Sequence, residues 1–154
     1  MTEPHAELVL LRHAEAGPQR GRQDDFDRVL SARGEAEAAR LGDWLRAQAL
    51  LFDRVLCSPA VRARSTLAVA LPQWVVAAQL LPQLYLADAA VLHALLDAQA
   101  PSGRMLLVGH NPGLEQLAAA LCGWPAPRPL PTCGLLRLRA QGEQRHALIE
   151  AWQP

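Results

Sequence analysis

Residues 7–13 read Glu7-Leu8-Val9-Leu10-Leu11-Arg12-His13, and residues 105–110 read Met105-Leu106-Leu107-Val108-Gly109-His110. Each is a short apolar run that ends on a histidine. A run of this length without polar alternation suits a strand buried on both faces, as in a parallel sheet covered by helices. Two such runs decide the fold class. They call for an open α/β sheet in which both histidines stand at the carboxyl ends of strands, the edge where such sheets bind ligands. An imidazole with a guanidinium beside it, as in Arg12-His13, suits covalent phosphoryl chemistry: the imidazole attacks phosphorus and arginine holds the phosphate oxygens.

Outward from these runs the chain alternates strand-like and helical patterns. The first strand spans Glu7–Leu11, and the polar stretch Ala14–Arg28 reads as a loop. Ser31 caps a helix to Ala49, with Ala38, Leu41, Trp44 and Leu45 on its buried face. Arg54–Cys57 is the second strand, and a weaker one covers Trp74–Ala77. Asp88 caps a helix through Ala98, followed by the strand Arg104–Gly109 and a helix from Asn111-Pro112 to Leu121. The proline-rich segment Pro125–Pro131 leads to a terminal hairpin, Cys133–Arg139 and Arg145–Trp152, turning at Gln141-Gly142-Glu143. The expected architecture is a single three-layer α/β domain over residues 1–154. Its sheet is mostly parallel, with helices on both faces and an antiparallel C-terminal edge hairpin, and no cap insertion interrupts the strand units.

Composition narrows the function. The chain has 154 residues, is 51% hydrophobic and carries no net charge, which disfavours disorder and gives no reason to expect nucleic acid as a partner. All 15 basic residues are arginine, so a single arginine is diagnostic only by its position. No apolar run approaches the roughly 20 residues of a membrane span, and no secretion signal is visible. Cys57, Cys122 and Cys133 are an odd number without metal-ligand spacing and read as reduced thiols, which points to the cytoplasm. Carboxylates do not cluster in the sequence, so neither a metal nor another cofactor is expected.

Three strand-to-helix junctions hold the reactive residues: Arg12-His13, Ser58-Pro59-Ala60-Val61-Arg62 and His110-Asn111-Pro112. All three belong to the same sheet edge, beside helix N-termini that favour anions. Arg62 lies in the first turn of its helix and can point its fork at a phosphate there, whereas Arg64 faces elsewhere into solvent. Ser58 and Asn111 read first as helix caps and second as substrate-binding residues. Arg28 is a further candidate phosphate contact, with Asp24, Asp25 and Asp27 nearby as ion-pair partners. Tyr85 lines the pocket or simply packs. The four tryptophans read as core or core-edge residues.

Leu11-Arg12-His13-Ala14 resembles the RHG motif of the histidine phosphatase superfamily (phosphoglycerate mutase-like). Asp27-Arg28-Val29-Leu30-Ser31-Ala32-Arg33-Gly34 resembles its RPLTxxG segment, with Val29 in place of the usual proline. The segment Ser58–Thr66 resembles its SPxxRAxxT motif. Val108-Gly109-His110-Asn111-Pro112-Gly113 is similar to the second-histidine motif of the small SixA-like branch, the phosphohistidine phosphatases. Leu84-Tyr85-Leu86-Ala87 and Pro131-Thr132 fit that branch too. The resemblance runs in order from about residue 7 to residue 152. It implies a metal-independent phosphatase in which His13 is the nucleophile. Arg12, Arg62 and His110 would hold the transferred phosphoryl group, with Arg28, Ser58 and Asn111 as further binding residues. To attack, His13 must be neutral on one nitrogen while the other donates to a carbonyl, expected near Gly17-Pro18.

The departures refine that expectation. Larger members carry a carboxylic general acid, and here Gln83 stands where one is expected; glutamine has no proton to give. A phosphorylated imidazole needs less protonation than an alkoxide on leaving, so a P–N substrate is favoured. Glu15 and Asp88 are the substitutes to consider. The leading expectation is therefore removal of phosphate from a phosphohistidine-bearing protein, with a signalling consequence. The alternatives are a phosphomonoesterase acting on a small phosphorylated metabolite, and a module that binds phosphate or phosphohistidine without hydrolysing it.

Overall fold

Strands β1 (His5–Arg12) and β4 (Ser102–Gly109) pair in parallel at the middle of a six-stranded sheet. The computed structural model describes residues 5–100, 102–142 and 145–154. The other strands are β2 (Arg54–Cys57), β3 (Gln79–Leu80), β5 (Leu135–Ala140) and β6 (His146–Trp152), in the order β3-β2-β4-β1-β5-β6. The first four in that order are parallel, while β5 runs antiparallel to β1 and β6 antiparallel to β5. The chain thus folds as an α/β unit with a mostly parallel sheet and an antiparallel C-terminal hairpin.

The apolar runs lack alternation because both faces are covered. Val9, Leu11, Val55, Cys57, Leu106 and Val108 point to one side and pack on helices α1 (Ala32–Ala47) and α2 (Val61–Ala70). Leu8, Leu10, Leu56, Met105 and Leu107 point to the other and pack on α3 (Ala89–Asp97) and α4 (Gly113–Cys122). Burying one such leucine removes enough apolar surface from water to contribute about 1.5–3 kcal/mol. Trp44, Trp74 and Trp152 lean on the first core and Trp124 on the second, all at the core edge. Among the described residues, no helix is long and apolar enough to cross a membrane.

Several boundaries differ from the sequence expectation. The strand expected at Trp74–Ala77 is absent: Pro72 opens a 3₁₀ turn, Pro72–Trp74, which turns the Trp74 indole onto the first core, and the edge strand forms only at Gln79–Leu80. Helix α1 stops at Ala47, with Ala49 left-handed at φ +49° just beyond it. The hairpin begins at Leu135 because Cys133 is left-handed (φ +58°) and the Gly134 N–H turns back to the Pro131 carbonyl. Glu143, expected in the hairpin turn, lies outside the described residues. Ser31 and Asp88 do cap α1 and α3, accepting from the Gly34 and Val91 N–H groups.

At the end of the sheet away from the histidines, Glu7 opposes Arg104 on β4 and Arg139 on β5. Glu7 is 5% exposed, and its carboxylate accepts from Arg104 Nε (2.7 Å), Arg137 Nη2 (3.0 Å) and Arg139 Nη2 (3.3 Å). Burial acts to raise its pKa, but the hydrogen bonds and charges of Arg104 and Arg137 outweigh it and lower the pKa to about 2. The resulting stabilisation is complete above the unfolded-state value of 4.5 and disappears as pH falls through about 2. A shift of this size corresponds to about 3 kcal/mol. Glu7→Gln should therefore lower the denaturant midpoint at pH 7, and the gap from the wild type should narrow steadily below pH 4.5; chemical denaturation at several pH values checks both.

Candidate active site

The register of the three inner parallel strands places the site. Arg12 on β1 lies opposite Gly109 on β4, and Cys57 on β2 lies opposite Val108. The next residue of each strand is therefore His13, His110 or Ser58, all on one edge. The ladder continues one step into them: the His13 N–H donates to Gly109 O (3.1 Å) and the Ser58 N–H to Val108 O (3.0 Å). The two imidazoles lie with centroids 5.2 Å apart, tilted by 54°. His13, His110, Arg62 and Ser58 are all buried.

His13 has one possible neutral tautomer here. Its Nδ1 lies 2.8 Å from the Ala14 carbonyl oxygen, which can only accept, so Nδ1 carries the proton. Nε2 then presents a lone pair, which takes the Arg62 Nε–H at 3.3 Å. The orienting carbonyl is thus that of Ala14, not one near Gly17-Pro18; Gly17 O instead accepts from Arg28 Nε (2.9 Å). Burial lowers the His13 pKa. The Ala14 hydrogen bond partly offsets this, the charges of Arg62, Arg12 and Arg28 push further down, and the result is about 4. His13 is neutral at physiological pH, with its lone pair on Nε2.

The Ala14 carbonyl is itself held. The Ala14 N–H donates to Thr66 Oγ1 (2.9 Å), and Thr66 donates to Arg62 O (2.7 Å), one turn back along α2. Gly34 completes the fixture from α1, since a Cβ there would lie 2.0 Å from Glu15 O. Thr66 and Gly34 appear in the motifs quoted above without a role. The structure shows them anchoring the loop that orients His13.

Ser58 holds the His110 ring. Ser58 Oγ accepts from the Ala60 N–H (3.3 Å) and lies 2.7 Å from His110 Nε2. With the hydroxyl donating to Nε2, the proton of the neutral ring sits on Nδ1. That Nδ1 is buried and has no hydrogen-bond partner. Burial, then the charges of His13 and Arg62, lower the His110 pKa to about 3, so the ring is neutral at physiological pH. Ser58 was expected as a helix cap, but α2 begins at Val61 with Ala60 as its cap residue, and the hydroxyl serves the histidine.

Arg62 is the centre of the cationic wall. Besides its Nε–H toward His13, its Nη1 donates to Asp25 O (2.7 Å) and its Nη2 to Asp25 Oδ2 (3.0 Å). Arg28 donates from Nη1 to Asp25 Oδ1 (3.0 Å), so the sequence expectation that an aspartate pairs with Arg28 holds for Asp25. Tyr85 donates to Asp25 Oδ2 (2.6 Å) and stands edge-on to His110 at 5.6 Å, so it lines the pocket. Arg64 is exposed and donates to Pro59 O, as its spacing suggested. Asp25 was named beforehand only as an ion-pair partner; its i, i+3 spacing to Arg28 was the available signal.

Arg12 is held from the opposite side. Its Nη1 donates to Leu130 O (3.1 Å), while its Nε is buried without a partner. Leu130 O also accepts from Asn111 Nδ2 (2.9 Å), and Glu115 Oε1 accepts from Asn111 Nδ2 (2.8 Å) and the Leu130 N–H (2.7 Å). Asn111 is therefore neither a cap nor, through its amide nitrogen, a binding group. Pro112 is the cap residue of α4, and Asn111 braces the proline-rich loop behind Arg12. The substitute acids are also occupied elsewhere. Glu15 accepts from Ser31 Oγ and faces Arg33, Asp88 caps α3, and Gln83 is exposed on a 3₁₀ turn. Among the described residues, no group of three or more His, Cys, Asp or Glu side chains could hold a metal ion.

Residues 8–85 match the model of the histidine phosphatase superfamily, branch 1. The chain belongs to that superfamily. It is similar to the phosphohistidine phosphatase SixA of Escherichia coli, 30% identical, with 79% of this chain and 77% of that protein covered. A SixA-type structure from Agrobacterium tumefaciens superposes with a TM-score of 0.81 at 30% identity, covering 97% of this chain and 99% of that one. Another from Nakamurella multipartitia gives 0.80 at 27% identity, with 96% and 95% covered. Within the superfamily the chain falls in the SixA-like branch, and it is a phosphatase, a hydrolase.

Two outcomes follow from this geometry. With the His13 pKa near 4, the acid side of the phosphatase pH–rate profile should fall off near pH 4 rather than near 6.5, activity being lost as pH drops through that value. Ser58→Ala should free the His110 ring and lower kcat about tenfold with KM little changed. That is less than the roughly 10²–10³-fold expected for deleting the donor itself with His110→Ala. Steady-state kinetics on the three proteins checks the order.

Proposed function

We propose that the protein removes phosphate from phosphohistidine on a partner protein, through a phosphohistidine intermediate at His13. The observation that carries this reading is the His13 imidazole, held neutral with Nδ1–H on the Ala14 carbonyl and its Nε2 lone pair facing Arg62. In the first step Nε2 attacks phosphorus in line with the leaving group. The P–N bond to the substrate imidazole breaks, and its electron pair goes to that nitrogen. Positive charge develops on the His13 ring, which the Ala14 carbonyl stabilises through Nδ1–H. The equatorial oxygens gather negative charge, for which Arg62, Arg12, Arg28 and the unpartnered His110 Nδ1–H supply preorganised donors. In the second step water attacks the phosphoryl group, orthophosphate leaves, and Nε2 regains its lone pair.

The state of the nearby carboxylates favours a P–N substrate. Asp25 is held ionised by Tyr85, Arg28 and Arg62, and Glu15 and Asp88 have structural partners. An alkoxide would leave without a proton donor, at a high cost, whereas an imidazole already protonated on its other nitrogen leaves neutral. The exposed Val29 and Leu86, the chain neighbours of Arg28 and Tyr85, suit an opposing protein surface. On this reading the protein works in the cytoplasm and discharges phosphorylated signalling intermediates.

Phosphate release from a phosphohistidine-bearing protein and from p-nitrophenyl phosphate, with His13→Ala as control, tests the proposal. The expected result is at least a tenfold preference for the phosphoprotein in kcat/KM, with both activities lost in His13→Ala. Equal or better turnover of the ester would shift the assignment to a small-molecule phosphomonoesterase. Phosphate binding without turnover, unchanged in His13→Ala, would indicate a binding module.

A further inference from the structure

We propose that Asp25 is a positioning residue that aims Arg62 and Arg28 at the phosphoryl group. The inference rests on the phosphatase reading and adds to it a residue that never touches the substrate.

A guanidinium on a flexible stem needs more than one anchor to fix its plane. Arg62 has two, both from Asp25: Nη1 donates to its carbonyl at 2.7 Å and Nη2 to its Oδ2 at 3.0 Å. That double grip turns the remaining Nε–H toward His13 Nε2 and leaves one N–H on each terminal nitrogen for phosphoryl oxygens. The other carboxylate oxygen holds Arg28 Nη1 at 3.0 Å, while Arg28 Nε is tied to Gly17 O, so the second arginine is fixed at two points as well. Asp25 and Arg28 reach each other because the 3₁₀ turn Asp25–Asp27 brings residues three apart onto one side. Tyr85 completes the arrangement, donating to Oδ2 at 2.6 Å and standing edge-on to both His110 and Phe26. One carboxylate thus links Arg62, Arg28 and Tyr85, which come from α2, the loop before α1 and the turn before α3.

Two features oppose the rival idea that the carboxylate merely occupies the phosphate site until substrate displaces it. Half of the grip on Arg62 comes from the Asp25 backbone carbonyl, which cannot leave without unwinding the 3₁₀ turn. The charges also balance with Asp25 in place: Arg12, Arg28 and Arg62 against one carboxylate leave two positive charges facing a dianionic phosphoryl group. Its carboxyl stays ionised throughout, because the Tyr85 hydrogen bond and those from Arg28 and Arg62 overcome its partial burial. With its side chain 37% exposed, Asp25 can be replaced without opening a core cavity.

The test compares wild type, Asp25→Asn and Asp25→Ala by two readouts: calorimetric affinity for orthophosphate, and kcat and KM with whichever substrate the wild type turns over. Asp25→Ala should bind orthophosphate about tenfold more weakly, although it has one negative charge fewer. Its kcat should fall on the order of 10²-fold, as misplacement of a reacting group does. Asp25→Asn, which keeps one oxygen acceptor, should recover part of both losses, and circular dichroism should show both variants folded. Tighter or equal orthophosphate binding in Asp25→Ala, or an unchanged kcat, would overturn the proposal. Should the wild type hydrolyse neither substrate while Asp25→Ala still binds orthophosphate more weakly, the phosphatase reading would fail and the positioning role would stand. If Asp25→Ala does not fold, the same comparison made with Asp25→Asn decides.

Discussion

The parallel pairing of β1 with β4, in the register that sets Arg12 against Gly109, is the constraint on which the rest depends. A sheet buried on both faces leaves its strands no freedom to slip, because a one-residue shift would turn each apolar set toward the wrong core. With the register fixed, the two chain segments end together and deliver His13 and His110 to the same place, 5.2 Å apart. β2 ends beside them and adds Ser58. The site residues therefore stand at the ends of the inner strands, the kind of regular element on which a pre-arranged site is best built.

Around that frame the pocket works by excess positive charge in a dry setting. Burial and the neighbouring arginines hold both imidazoles neutral, the state in which the proposed reaction uses one to attack and the other to donate. Each neutral ring is held by a fixed partner: the Ala14 carbonyl at His13 Nδ1 and the Ser58 hydroxyl at His110 Nε2. The arginines are aimed in the same manner from behind, Arg62 and Arg28 by Asp25, and Arg12 by Leu130 O in a loop braced by Asn111 and Glu115. In the proposed reaction nucleophile, donors and cations are separate tasks, and the groups assigned to them are held by hydrogen bonds from behind.

The fold and the reactive residues were largely legible in the sequence, for different reasons. Unbroken apolar runs such as Leu8–Leu11 and Met105–Val108 suit strands covered on both sides, so they pointed to a parallel sheet. The helix caps Ser31 and Asp88 could be read because capping is a local exchange between a side chain and an N–H three residues on. Trp74–Ala77 misled as a strand because only Trp74 packs on the core, while Val75 and Val76 stay exposed and Pro72 sets a turn. Ser58 and Asn111 misled as caps because a polar residue before proline has the same local appearance whether it serves the helix or reaches across the sheet.

What the sequence determined alone is the chemistry available and the strand ends that carry it: two histidines and their arginines, each placed by a local pattern of burial. What tertiary structure decided is which nitrogen of His13 holds the proton, which hydroxyl meets His110 and which carboxylate meets which arginine. Asp25 reaches Arg62 across 37 positions and Ser58 reaches His110 across 52. Such pairings depend on distances set by the packing of whole helices on the sheet, and no periodicity along the chain records them.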